Sequence, residues 1–430
     1  MRKSRKMGAL TALGSLTAAV ALLAGSPDAS AQPASPGGGS FPGSFLVPGT
    51  NTSVKVGGFV KIVGIKDLGG AGGDTVANDA IPLHGSAGAG LHGNFKMHAR
   101  QSNISVDTRT PTAYGDLTTF VLVDMFGQNT SEAQNQSNVY NTRLVYAYGT
   151  LGPLLAGQWV SLFADTDAII ESVDPTGFIG NMDGLSNRSP QFRYTFAAPG
   201  GFSAAVDIEN PEAEGITNSA VGAVGAGGAF TTSKISGVDK YPDVLARVRL
   251  DQAWGHIALS AMWRDMTIEA PGVPRESKAS YAASLSGHVN TFGKDAFKFT
   301  VAGGKAPGHY LTTLGRTSGA DGLEFNPVTG ATAAPTAYTA SIGYTHWWTG
   351  ALRSSVQAGY GKNSVATSVL TSAAAQGADD KRQTGGRANL IWSPVPQVDL
   401  GAEYVYARRV VQTGASGNFH RVEIESVFKF

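Results

Sequence analysis

Charged side chains in this 430-residue chain recur at a spacing of two. Near the C-terminus Arg421, Glu423, Glu425 and Lys429 alternate with Val422, Ile424, Phe428 and Phe430. Asp243, Arg247, Arg249 and Asp251 alternate with Val244, Ala246, Val248 and Leu250; Asp399, Glu403 and Arg409 alternate with Leu400, Ala402, Tyr404 and Tyr406. Successive side chains of an extended chain point to opposite faces, so each segment carries one charged row and one apolar row. Rows of fixed guanidinium and ammonium groups lower the cost of taking an anion out of bulk water, which is the chemistry of a charge-selective passage.

Reading the polar row segment by segment gives Lys61, Arg100, Arg109, Arg143, Arg193, Arg247, Arg249, Arg264, Arg353 and Arg387 as candidate pore-lining, anion-binding residues. Lys55, Lys298, Arg409, Arg421 and Lys429 share these rows, opposed by Asp107, Asp124, Asp207, Glu209, Asp251, Asp399, Glu403, Glu423 and Glu425. Fifteen basic groups against nine acidic ones make this face more basic than the whole chain, which has 33 Lys and Arg against 32 Asp and Glu. Pairing between the rows, which would stiffen a wall without selecting a solute, is the competing reading for about half of them. Catalytic readings have less behind them. There is no G-x-S-x-G, and the glycine runs Gly69–Gly73 and Gly222–Gly228 lack a strand-to-helix context or a following G-K-S/T. The eight His are scattered, so neither a metal nor a cofactor is expected.

Sixteen segments of period-two alternation could hold such rows: 53–66, 95–109, 117–126, 140–150, 154–163, 190–197, 201–209, 242–251, 254–266, 278–291, 295–304, 336–347, 350–362, 383–393, 397–411 and 418–430. Many have the roughly 9 to 11 residues that a tilted strand needs to cross a bilayer. Their connections run long, short, long, short, from the long 67–94 and the short 110–116 to the long 363–382 and the short 394–396. Tight turns at one end and long loops at the other are the asymmetry of an outer-membrane barrel, whose apolar row faces lipid and whose charged row faces the lumen. A charge fraction of 15% beside 9% aromatic residues excludes disorder, and no apolar run of about 18 residues follows the first 25 residues. Residues 1–31 read as a signal peptide, with Arg2, Lys3, Arg5 and Lys6, an apolar stretch and an A-x-A site ending at Ala31. Removing that segment's four basic residues and Asp28 leaves 29 basic against 31 acidic side chains, which gives no electrostatic case for nucleic acid.

The expected fold is therefore all-β: a transmembrane antiparallel barrel of 16 strands over residues 53–430, with short periplasmic turns and long extracellular loops, preceded by a flexible periplasmic lead-in over 32–52. The six Trp fall near strand ends, as in an interfacial belt. In 95–109 the apolar parity changes between Met97 and Ile104, which predicts a β-bulge near Gln101–Asn103. The third long loop, 164–189, mixes Ile169, Ile170 and Val173 with Asp165, Asp167, Glu171 and Asp174. Such a loop is expected to fold into the pore as a constriction, its carboxylates opposing Arg100, Arg143 and Arg193.

Several motifs resemble one known family. Phe45-Leu46-Val47-Pro48-Gly49-Thr50, then Val54-Lys55-Val56-Gly57-Gly58-Phe59-Val60-Lys61, resemble the start of the DcaP-like outer-membrane porins. So do His98-Ala99-Arg100-Gln101-Ser102, Tyr114-Gly115-Asp116-Leu117, Leu151-Gly152-Pro153 and Glu209-Asn210-Pro211-Glu212, with the resemblance dense from about Phe45 to Glu212. It implies a homotrimeric diffusion channel for small hydrophilic solutes, favouring anions such as dicarboxylates, in the outer membrane of a Gram-negative bacterium. It also marks Arg100 as an anion contact. Outer-membrane lipid, further copies of the chain and small anionic solutes are the partners this implies. A barrel-type outer-membrane enzyme and a structural or surface-binding barrel with a closed lumen are the alternatives.

Overall fold

A computed structural model of the chain describes residues 38–70, 81–127, 140–174, 188–211, 214–217, 233–270, 273–314, 322–325, 331–364 and 380–430. The expected signal peptide lies outside the described residues. Among them sixteen strands form the barrel: β1 (Ser53–Gly69), β2 in two pieces (Phe95–His98 and Asn103–Thr112), β3 (Gly115–Asp124), β4 (Arg143–Leu151), β5 (Leu154–Val160), β6 (Arg188–Ala197), β7 (Phe202–Glu209), β8 (Asp243–Gln252), β9 (Gly255–Ala270), β10 (Val273–Asn290), β11 (Ala296–Lys305), β12 (Thr336–Trp347), β13 (Leu352–Ser364), β14 (Asp380–Val395), β15 (Val398–Val411) and β16 (Ser416–Lys429). Each pairs antiparallel with its neighbour, and β16 returns to β1 from Phe59↔Lys429 to Asp67↔Arg421, closing the sheet. Closure satisfies every ladder hydrogen bond without an edge, as hydrocarbon demands.

The two faces follow the sequence parity. Val244, Val248 and Leu250 are exposed on the outer face of β8, while Leu245, Arg247 and Arg249 turn inward. Short turns lie at the end where β1 begins; in Pro199–Gly201, Gly200 and Gly201 both take φ near +80°, which only glycine enters freely.

Strands exceed their expected lengths at the end that carries the long loops. β9 and β10 have 16 and 18 residues, so the long connection expected at 267–277 is instead mostly a continued hairpin. Above the bilayer both faces meet water, so the hydropathy contrast fades while the hydrogen-bond ladder continues. A small external sheet was not foreseen: Glu214–Thr217 pairs antiparallel with Ser233–Val238 and parallel with Gly322–Phe325.

The bulge in β2 is present. Val63 opposes His98 and Phe59 opposes Asn103, so five steps along β2 match four along β1. Ser102 seals the extra residue, its Oγ accepting from Lys61 N–H at 3.0 Å and donating to Lys61 O at 3.2 Å. The aromatic belt needs correction. Trp254, Trp263, Trp348 and Trp392 are outward and 40–60% exposed. Trp159 and Trp347 share the inward parity instead, and Trp159 packs on Tyr146 and Tyr148 with ring centroids 4.5 and 4.4 Å away. The flexible lead-in is also corrected for residues 38–52: Phe45–Leu46 pairs with Ser53–Val54, and Phe41 is buried.

Candidate functional site: a loop laid across a charged lumen

The third long loop leaves β5 at Val160 and runs along the inner wall through Asp174, where description stops until Arg188. At its start Leu162 N–H donates to Glu209 at 2.8 Å, and Arg247 donates to the carbonyls of Leu162 and Ala164. Asp165 caps the short turn Thr166–Ala168 and accepts from His256 Nε2 and Ser286 Oγ, both at 2.7 Å. Arg249 reaches Asp167 at 2.8 Å and Asp165 at 3.6 Å. Farther along, Lys298 Nζ donates to Ile169 O at 2.6 Å, and Arg353 grips Glu171 with two bonds of 2.6 Å. Lys61 Nζ then donates to Val173 O at 2.6 Å, Glu403 accepts from Val173 N–H, and Arg387 donates to Asp174 O.

Burial locks this path. Leu162 and Phe163 sit in a cluster with Leu245, Met262, Ala282, Ala302 and Ala337, and the three small alanines leave the loop its room. Val173 packs on Val63 and Ile65 of β1. At Gly343 any Cβ would collide with Ile170, and at Gly401 it would lie 3.1 Å from Val173 Cγ2. A second inward segment, Gly308–Leu314, adds Tyr310 and Leu311 to the first cluster. The Tyr310 hydroxyl donates to Asp243 at 2.9 Å and Glu209 at 3.2 Å. Burial, with those two carboxylates, pushes this phenol well above its usual range. Ile81, from the first long loop, packs inward on Val405, Ala407 and Phe419.

Asp165, Asp167 and His256 bring their ligand atoms within 4.8 Å of one another, a spacing a cation could use. Arg249 already lies against both carboxylates, so a guanidinium supplies that charge. Burial alone would raise Asp165, but the His256 hydrogen bond and charge, with Arg247 and Arg249, hold its carboxyl well below the usual range.

The structure brings six of the ten predicted basic residues onto this crossing or its supports: Lys61, Arg247, Arg249, Arg353 and Arg387 on the third loop, and Arg264 under Tyr310, paired with Asp243 at 3.0 Å. Among the described residues, the loop carboxylates Asp167 and Glu171 meet Arg249 and Arg353, where Arg100, Arg143 and Arg193 were expected to oppose the loop. Arg143 pairs with Asp124 at 2.7 Å and Arg193 with Asp207 at 3.0 Å, while Arg100 donates to Gly127 O and lies over Phe126 at 4.3 Å. Arg109 lies over Phe41 at 4.1 Å, with Asp107 3.6 Å away. Lys55 makes no hydrogen bond or ion pair among the described residues.

Sequence reasoning missed three inward acids, each a partner of a wall arginine: Asp67 with Arg421 at 3.0 Å, Asp243 with Arg264, and Asp380 with Arg409. Asp67 and Asp380 lie in strand extensions beyond the alternating segments; Asp243 stood in an alternating row, and its parity was the available signal.

Comparison with known proteins agrees with this architecture. A family model described as "Porin subfamily" matches residues 42–425. No curated protein matches. The fold is similar to the outer membrane channel DcaP of Acinetobacter baumannii, at TM-score 0.71 and 18% identity, covering 90% of this chain and 99% of that one. An anion-selective porin from Comamonas acidovorans aligns at TM-score 0.52 and 10% identity, covering 88% and 100% of the two chains. Salmonella typhi OmpF, in complex with daunomycin, aligns at TM-score 0.52 and 9% identity, covering 88% and 98%. Matched by the family model over nearly its whole length and folded as a closed sixteen-stranded barrel, the chain belongs to the porin family and is an outer-membrane channel, not an enzyme.

Proposed function

We propose that this channel passes small hydrophilic solutes by passive diffusion, favours anions such as dicarboxylates, and works as a homotrimer in the outer membrane of a Gram-negative bacterium, reached through the periplasm. The observation that carries the reading is the anchored third loop, which narrows a lumen lined by charged side chains. The trimer comes from the family resemblance. The anion preference is supported by the basic excess that the alternating rows carry in the sequence, and by the anion-selective porin among the similar folds.

That surplus is not spread evenly. Asp67, Asp243 and Asp380 of the wall, with Asp165, Asp167, Glu171 and Asp174 of the loop, add seven carboxylates, enough to cancel it. Selectivity then depends on which cations stay open to a passing solute, since a closed ion pair presents little net field. Reconstitution into a planar bilayer tests the reading. Stepwise conductance in threes with a reversal potential biased toward anions is expected. A cation-biased potential overturns the preference, and silence in folded protein favours a structural barrel with a closed lumen.

A further inference from the structure

Residues just before the first strand are built into the periplasmic mouth. Ser53, on the inner row of β1, accepts from Ser40 N–H at 2.9 Å through its Oγ. Ser44 closes the following turn, its Oγ donating to Phe41 O at 2.6 Å and accepting from Phe41 N–H at 3.2 Å. A Cβ at Gly39 would press on the Ser44 carbonyl carbon at 2.6 Å, so the turn requires glycine there. Phe45–Leu46 pins the far end by pairing with Ser53–Val54.

Two wall cations border this turn. Phe41 is only 5% exposed, and the Arg109 guanidinium lies 4.1 Å from its ring centroid. A Cβ on Gly43 would be 3.4 Å from Lys55 Cε, so the turn runs along the lysine stem. In the ladder Lys55 opposes Asp107 and Ser53 opposes Arg109, which gathers two cations and one carboxylate at one place on the rim. The ammonium of Lys55 has no hydrogen-bond or ion-pair partner among the described residues. A cation on an aromatic face is held in place; Arg109 shares Asp107 at 3.6 Å and its Nε is buried, so the Lys55 ammonium is the group left open to a solute.

We propose that Gly38–Leu46 is a fixed collar in the periplasmic mouth, and that Lys55 and the Phe41-supported Arg109 form a selectivity point for small anions separate from the third loop. The inference rests on the anion-favouring reading above and adds where that preference is set. Lys55 is the group a solute meets; Phe41 and the Asp107-paired Arg109 are positioning residues.

Single-channel recording of the whole mature protein in a low-salt KCl gradient tests it. K55Q is expected to lower the anion-to-cation permeability ratio by about twofold, because open charges at a mouth act within a Debye length of about 10 Å at 0.1 M salt. F41A is expected to lower the ratio too and to raise conductance as the collar loosens, whereas F41W, which keeps an aromatic face, retains both wild-type values. K66Q removes a lysine held by Gly93 at the opposite end of β1 and serves as the unchanged control. Folding of each variant is checked by its heat-modifiable gel band. Folded K55Q and F41A barrels with wild-type ratio and conductance overturn the collar. A wild-type channel without anion preference overturns the earlier reading instead, and a cation-ward shift in K55Q would still support the collar.

Discussion

Arg353 shows what the wall arginines do in this channel. Its planar fork meets both oxygens of Glu171, its Nη1 donates to Ser393 at 2.7 Å, and its guanidinium lies 5.2 Å from the Trp347 ring. A lysine has the charge but not the fork, so R353K is not a conservative change here. Losing one charge-assisted bond at this partly exposed pair should cost the docked loop about 1–3 kcal/mol. Current noise in single-channel records should rise in R353K while the barrel stays folded; a trace as quiet as wild type would show that Glu171 is not an anchor. Asp165 adds a statement about pH. Its carboxyl is held low by His256, Arg247 and Arg249, so its contribution is complete above the unfolded value near 3.9 and is lost only as pH falls through the lower folded value. Acidification from pH 7 to about 5 should therefore leave this anchor ionised, whereas D165N should loosen the loop throughout that range. Noise that grows in wild type but not in D165N over that interval would reverse the assignment.

At the scale of elements, the structure separates strands set by lipid from segments set by packing. The alternation that put Val244 and Val248 outside and Arg247 and Arg249 inside was legible because bilayer and water impose opposite demands on adjacent residues. The bulge was legible for the same reason, since a change of parity between Met97 and Ile104 has few repairs. Deleting Gln101 should leave four steps of β2 against four of β1, so both pieces keep their faces in a regular ladder and the barrel should still acquire heat-resistant mobility on gels, whereas a residue inserted beside Gln101 should turn one piece inside out and abolish that mobility; S102A should cost about 1 kcal/mol and fold. What alternation could not show is where inward segments rest. Neither Gly308–Leu314 nor Ile81 carries a period that points to a partner, and both are placed by contacts distant in sequence. Trp159 misled for a related reason: a tryptophan near a strand end suits a girdle, and only its register beside Tyr146 turns it inward. Gly343 offers a direct test of the loop's seat. A Cβ there would meet Ile170 and the Val356 carbonyl oxygen of β13, so G343V should displace the loop and change single-channel conductance, with folding confirmed by the heat-modifiable gel band. Unchanged conductance would mean that this contact does not shape the pathway.

For the molecule as a whole, most of the lumen's charge is spent within the protein. Lys61, Arg353, Arg387 and Arg421 are buried against carboxylates or loop carbonyls, and such closed pairs present little field to a passing ion. A channel built this way should owe its preference to a few open groups, and open groups are screened by salt whereas buried ones are screened much less. The anion-to-cation permeability ratio should therefore fall toward one as KCl rises from about 0.1 M to about 1 M, where the Debye length shrinks from about 10 Å to about 3 Å. Reversal potentials measured across that series check the argument. A ratio that stays high and constant would place selectivity in the desolvated rows beneath the third loop, at Arg247, Lys298 and Arg387, where screening hardly reaches.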